Sequence, residues 1–191
     1  MEPNKVKKVL AAILATLGIS AGLLSFIETE EGFGPKNAQG LYMAYPDPSP
    51  NTGWKLPTIC NGHTRGVYKG MTATKEQCRA WLKEDLAIAA KDVVRCIKVP
   101  LGKNSYDALV SYNFNTGAVC GDMAKWVNTK SCKEAAKAFN EIPQRNKDGT
   151  IRMQDGKPVM RYTTGGGIVL KGLITRRAKE RAMFEKDCTN E

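Results

Sequence analysis

Histidine is nearly absent from this sequence of 191 residues: His63 stands alone. The six cysteines include no CxxC pair. Zinc sites are built from close cysteine and histidine pairs, so no metal is expected. A cofactor is not expected either: Gly165, Gly166 and Gly167 precede no GK[ST] and form no phosphate loop. Acids are the minority charge, 19 against 29 Lys and Arg, for a net charge of +10. That excess suits a polyanionic partner: nucleic acid, anionic lipid or bacterial wall. No nucleic-acid recognition motif is present, so nucleic acid is not the expected one. There is no internal repeat, and the composition (42% hydrophobic, 25% charged) excludes collagen-like and disordered chains.

Charge is missing altogether from Val9 to Ile27. Lys5, Lys7 and Lys8 precede this stretch, and Glu28, Glu30 and Glu31 follow it. As a helix it would reach about 28 Å, the thickness of a bilayer core. Its many Ala, Gly and Ser residues make insertion marginal. The lysines place the N-terminus in the cytoplasm and the remainder outside. The expected division is a signal-anchor over residues 1–27 and an exported domain over 28–191. A cleaved signal peptide and a buried core helix stay open as alternatives. Export favours disulfides over free thiols.

Between Asn37 and Pro57, closely spaced Pro, Gly and Asn exclude helix and predict turns and short strands. Thr74 and Gln77 form a capping-box pattern. Behind it Cys78, Trp81, Leu82, Leu86, Ala89, Val93 and Ile97 recur at helical steps, and Pro100 closes the run. Further helices fit Tyr106–Asn113, Met123–Val127, Cys132–Phe139 and Leu170–Lys186. A hairpin fits between Arg145 and Arg161, where Asp148-Gly149 and Asp155-Gly156 mark turns. Arg176, Arg177, Lys179 and Arg181 read as a solvated basic face. The fold class is α+β: mostly helical, with a small β-rich lobe.

Six segments occur in a telling order: Glu31-Gly32, AYPD ending at Asp47, TICNGHT from Thr58, KEQCRAWLKEDL, SYNFNTG, and GGGIVLKGLITRRAKER near the C-terminus. In that order they resemble the phage lysozymes, the T-even-type muramidases and lambdoid endolysins, over most of residues 28–187. The Ala- and Gly-rich start is similar to the signal-arrest-release segment of many of these endolysins. The resemblance implies a lysozyme-like fold whose β-lobe forms one side of a cleft. It also implies a glutamate, an aspartate and a threonine around the scissile bond, here Glu31, Asp47 and Thr58. Glycoside hydrolysis needs one carboxylic acid to protonate the leaving oxygen and a second carboxylate to assist water. Glu31 would be the acid, Asp47 would orient the water, and Thr58 would hold it. Gly34–Gly40 and Ser49–Lys55 read as loop insertions between these positions, and Glu28 or Glu30 could substitute for Glu31.

In the same family a histidine equivalent to His63 pairs with an aspartate, here Asp85, in a structural role. Asn113, Phe114 and Asn115 are candidate glycan contacts, with core packing as the alternative for Phe114. The expected disulfides are Cys60–Cys78, Cys96–Cys188 and Cys120–Cys132, the last closing a short ring. The implied function is a monomeric endolysin that hydrolyses the β-1,4 bond between N-acetylmuramic acid and N-acetylglucosamine. Its partners are peptidoglycan strands and, through residues 9–27, the host inner membrane. It faces the periplasm and stays inactive until released there. A lytic transglycosylase, which needs one acid only, and a non-catalytic wall-binding protein are the alternatives.

Overall fold

The computed structural model describes residues 18–47, 52–165 and 167–188. The chain divides into two compact units at Ala90 and Lys91.

The first unit opens with helix α1, Ala21–Glu31. Gly18 takes a φ of +65°, and Ser20 then caps the helix, its Oγ accepting from Leu23 N at 2.9 Å. The described end of the uncharged stretch is thus a turn followed by a helix that begins at Ala21. The rest of that stretch lies outside the described residues. Leu23 and Ile27, one helical turn apart, are 1% and 0% exposed. Among the described residues no helix is long and apolar enough to cross a membrane.

Four short strands follow: β1 (Tyr42–Met43), β2 (Tyr45–Asp47), β3 (Gly53–Thr58) and β4 (Thr72–Ala73). They make two antiparallel ribbons, β1 with β4 and β2 with β3. Their core is Tyr42, Ile59, Cys60, Ala73 and Cys78, flanked by Phe33, Val67, Met71 and Trp81. The Cys60–Cys78 bridge ties this lobe to helix α2, Lys75–Cys96. The capping box forms as expected. Thr74 N donates to Gln77 Oε1 at 2.8 Å, and Gln77 N returns a bond to Thr74 Oγ1 at 3.3 Å.

The second unit takes the end of α2 and then α3 (Lys103–Thr116), a π-turn (Val119–Met123), α4 (Ala124–Thr129) and α5 (Cys132–Ala136). Two small hairpins follow, β5 (Met153–Gln154) with β6 (Lys157–Pro158) and β7 (Thr164–Gly165) with β8 (Ile168–Val169). Helix α6, Lys171–Glu185, ends the unit. Tyr112 packs edge-on against Phe139 and Tyr162. The start of α3 has no side-chain cap of its own. Asp187 supplies one, accepting from Ser105 N at 2.6 Å and Asn104 Nδ2 at 2.7 Å.

Two expectations are corrected here. The structure pairs Cys96 with Cys120 and Cys132 with Cys188, in place of Cys96–Cys188 and Cys120–Cys132. Asn113 explains the first pair. Its amide donates to Asp92 on α2 at 3.3 Å, and its Oδ1 accepts from Val119 N at 3.1 Å. The π-turn carrying Cys120 is thereby held against the last turn of α2. Cys132 opens α5, which packs on α6, and Cys188 follows α6. Nearness in sequence misled because α4 carries Cys132 away from Cys120. The second correction concerns α6. Arg176 and Arg177 are 4% and 0% exposed and surround the buried Glu180, which also accepts from Ser111 Oγ at 2.6 Å. A charge pattern does not reveal that two of its arginines have a buried acid to pair with.

Candidate active site

Glu31, Asp47 and Thr58 all fall in the first unit. Glu31 is the last residue of α1, one turn beyond Ile27 and two beyond Leu23. Residues four apart share a helix face, so its carboxylate follows the stripe that α1 buries. Gly32 ends the helix, with a φ of +66° and its N–H on Glu28 O at 3.1 Å. The Asn61 side-chain amide then donates to Gly32 O. On the preceding turn Glu28 is gripped by Arg79 of α2, at 2.6 Å to Nε and 3.0 Å to Nη2. Those two bonds, then the charges of Arg79 and Lys75, hold its carboxyl below the usual range.

Asp47 and Thr58 are placed by the β2–β3 ribbon. Tyr45 faces Thr58, Pro46 faces Pro57, and Asp47 faces Gly53. Between Pro46 and Asp47 the register shifts, so Trp54, Lys55 and Leu56 bulge out with no partners on β2. Thr58 is buried, its Oγ1 donating to Leu56 O at 3.5 Å. A tight turn follows, with Cys60 at a φ of 56° and Ile59 and His63 exchanging backbone bonds of 2.9 and 3.0 Å. His63 Nδ1 lies 2.8 Å from Asp85 Oδ2, and its ring stacks on Trp81 with centroids 5.0 Å apart. Arg65 reaches the other oxygen of Asp85 at 2.6 Å.

Tyr45 is the group that responds to both carboxylates. Burial pushes its phenol up, and the charges of Glu31 and Asp47 push it further the same way. Both acids are therefore within electrostatic reach of one residue, which is the cross-strand partner of Thr58. Tyr45 lies in the AYPD motif, which by itself gives it no role. The available signal was its position, two residues before Asp47.

The residues expected to contact glycan lie in the second unit, on α3. Asn113 is buried and committed to Asp92 and Val119. Asn115 Oδ1 accepts from Arg177 at 2.8 Å. Phe114 is half-buried. Among the described residues no group of His, Cys, Asp or Glu could hold a metal ion.

The phage lysozyme family model matches residues 36–180. The chain belongs to the phage lysozyme family. The endolysin of Salmonella phage P22 is 34% identical over 137 residues, covering 68% of this chain and 80% of that protein. The SAR-endolysin of Enterobacteria phage PA-2 is 30% identical over 184 residues and covers 94% of both chains. Among solved structures, P22 lysozyme superposes with a TM-score of 0.58 at 31% identity, over 87% of this chain and 97% of that one. This phage lysozyme is a lysozyme-type glycosidase with peptidoglycan as its substrate class, on the α+β lysozyme-like fold that the sequence implied.

Proposed function

We propose that this phage lysozyme is an endolysin that cuts the β-1,4 bond between N-acetylmuramic acid and N-acetylglucosamine. Glu31 protonates the leaving oxygen, Asp47 orients water on the opposite face of the sugar, and Thr58 holds that water through its hydroxyl, with inversion at the anomeric carbon. The observation that carries this reading is the β2–β3 register, which sets Thr58 opposite Tyr45, two residues before Asp47, in the same unit as Glu31 at the end of α1. The charges of Glu31 and Asp47 both raise the Tyr45 phenol, in keeping with it. Two acids and a hydroxyl are the parts an inverting hydrolase needs. Phe114 and Asn115 are the glycan contacts assigned to the second unit.

The test is mass spectrometry of purified peptidoglycan treated with the full chain, beside Glu31→Gln and Asp47→Asn. Reducing N-acetylmuramic ends are expected, reduced about a hundredfold or more in each variant. Anhydro ends that survive Asp47→Asn mean a transglycosylase, and no cleavage at all means a wall-binding protein.

The name SAR-endolysin borne by the PA-2 relative, together with the uncharged stretch ending at Ile27, supports an inner-membrane anchor before release into the periplasm. Leu23 and Ile27 belong to that stretch yet are core residues of the structure described here. The same side chains cannot face lipid and fill this core at once. The anchored form therefore lacks a seated α1, and Glu31 is out of place until release. Leucines at Ala11, Ala15 and Gly18 should hold the anchor and delay lysis; lysis at the wild-type rate overturns this.

A further inference from the structure

The bulge opposite Pro46 and Asp47 is made of exposed side chains. Trp54 is 41% exposed and Leu56 43%, with Lys55 exposed between them. Neither Trp54 nor Leu56 belongs to the hydrophobic cluster of the lobe, whereas Trp81 packs against it and on His63. Gly53, the residue before Trp54, is the cross-strand partner of Asp47. Lys69 Nζ stands 5.4 Å from the Trp54 ring centroid, and the neighbouring Tyr68 is 64% exposed. This partly exposed indole lies one residue beyond the cross-strand partner of the proposed water-orienting acid.

We propose that Trp54, with Leu56 beside it and Lys69 over its ring, is a sugar-stacking platform for the peptidoglycan glycan strand. This rests on the glycosidase reading above and adds to it a contact flanking the scissile bond. A pyranose ring presents an apolar C–H face that matches the flat apolar face of an indole. Peptidoglycan also carries lactyl and peptide carboxyl groups along its length, and Lys55 and Lys69 offer the complementary charge. The bulge keeps the platform out of the core and next to Asp47.

The experiment compares the full-length wild type with Trp54→Ala, Trp54→Phe and Lys69→Met on soluble peptidoglycan fragments. Trp54→Ala should raise KM about fivefold with kcat within about twofold. Trp54→Phe should restore most of the loss, and Lys69→Met should raise KM less and weaken its salt dependence. A second measurement leaves Trp54 in place: N-bromosuccinimide oxidation of Glu31→Gln protein, read by peptide mass spectrometry, should slow severalfold at Trp54 when glycan is added. An unchanged KM in folded Trp54→Ala, or equal oxidation with and without glycan, overturns the platform and leaves the glycosidase standing. Wild-type protein that releases no reducing ends overturns the glycosidase reading and this one together.

Discussion

A Cβ placed on Gly34 would lie 2.7 Å from Cε1 of Tyr45. Gly34 also holds a φ of +74°, which side chains rarely adopt. Gly34→Ala must therefore strain the backbone and displace the ring of Tyr45, the cross-strand partner of Thr58. Thermal unfolding should show a loss of about 1–3 kcal/mol. Glycan hydrolysis by the folded fraction should fall as well, because Tyr45 moves.

Tyr45 can report directly on its two acidic neighbours. Both negative charges raise its phenol, so removing either should lower it. Ultraviolet or NMR titration above pH 9 should show Tyr45 ionising earlier in Glu31→Gln and in Asp47→Asn than in wild type. No change in either variant would mean that the carboxylates do not converge on the ring.

Glu28 and Arg79 should make the seating of α1 depend on pH. Glu28 is held below its ordinary value of 4.5 in the folded protein. A depressed carboxyl gives its full stabilisation above the unfolded value, and loses it as pH falls through the folded value. Arg79→Met should therefore lower Tm by about 3 °C near pH 7. The difference should shrink below pH 4.5 and vanish in stronger acid, as melting curves across pH 2–7 would show.

The His63–Asp85 pair should matter to stability more than to chemistry. His63 is 5% exposed, bonded to Asp85 and stacked on Trp81. His63→Ala leaves Asp85 without that partner and Trp81 without its stack, a loss of about 2 kcal/mol. Its kcat at a temperature well below Tm should stay within about twofold of wild type.

The bridge between Cys132 and Cys188 spans 56 residues. By loop length its removal should cost about 4 kcal/mol, more than the loss of Cys60–Cys78, which spans 18. Peptide mapping without reductant should recover the three pairs seen here, and melting of paired Cys→Ala variants should follow that order.

The helices were legible in the sequence because their signals are local. Thr74 and Gln77 sit at capping-box spacing, and the apolar steps from Cys78 to Ile97 trace the buried side of α2. Glu31, Asp47 and Thr58, the trio proposed above, are singled out by the order of short motifs around them. The rest depends on where distant segments meet. Tyr45 gains its position from a strand register interrupted by a bulge, and no periodicity encodes that shift. Cys120 meets Cys96 because Asn113 holds a π-turn against α2, and Asn113 had been read as a glycan contact. Arg176 and Arg177 are buried where α6 packs on α3 and pair there with Glu180 of their own helix, while the surrounding charge pattern points to solvent.

α1 carries no cysteine, so beyond the backbone it is held by the packing of Leu23 and Ile27, the Asn61 bond to Gly32 and the Glu28–Arg79 pair, with no disulfide. None of the three bridges includes a residue of that helix. Oxidative maturation and the docking that places Glu31 are therefore separate clocks. On the anchor reading proposed above, a fully oxidised protein waits for one short helix to arrive.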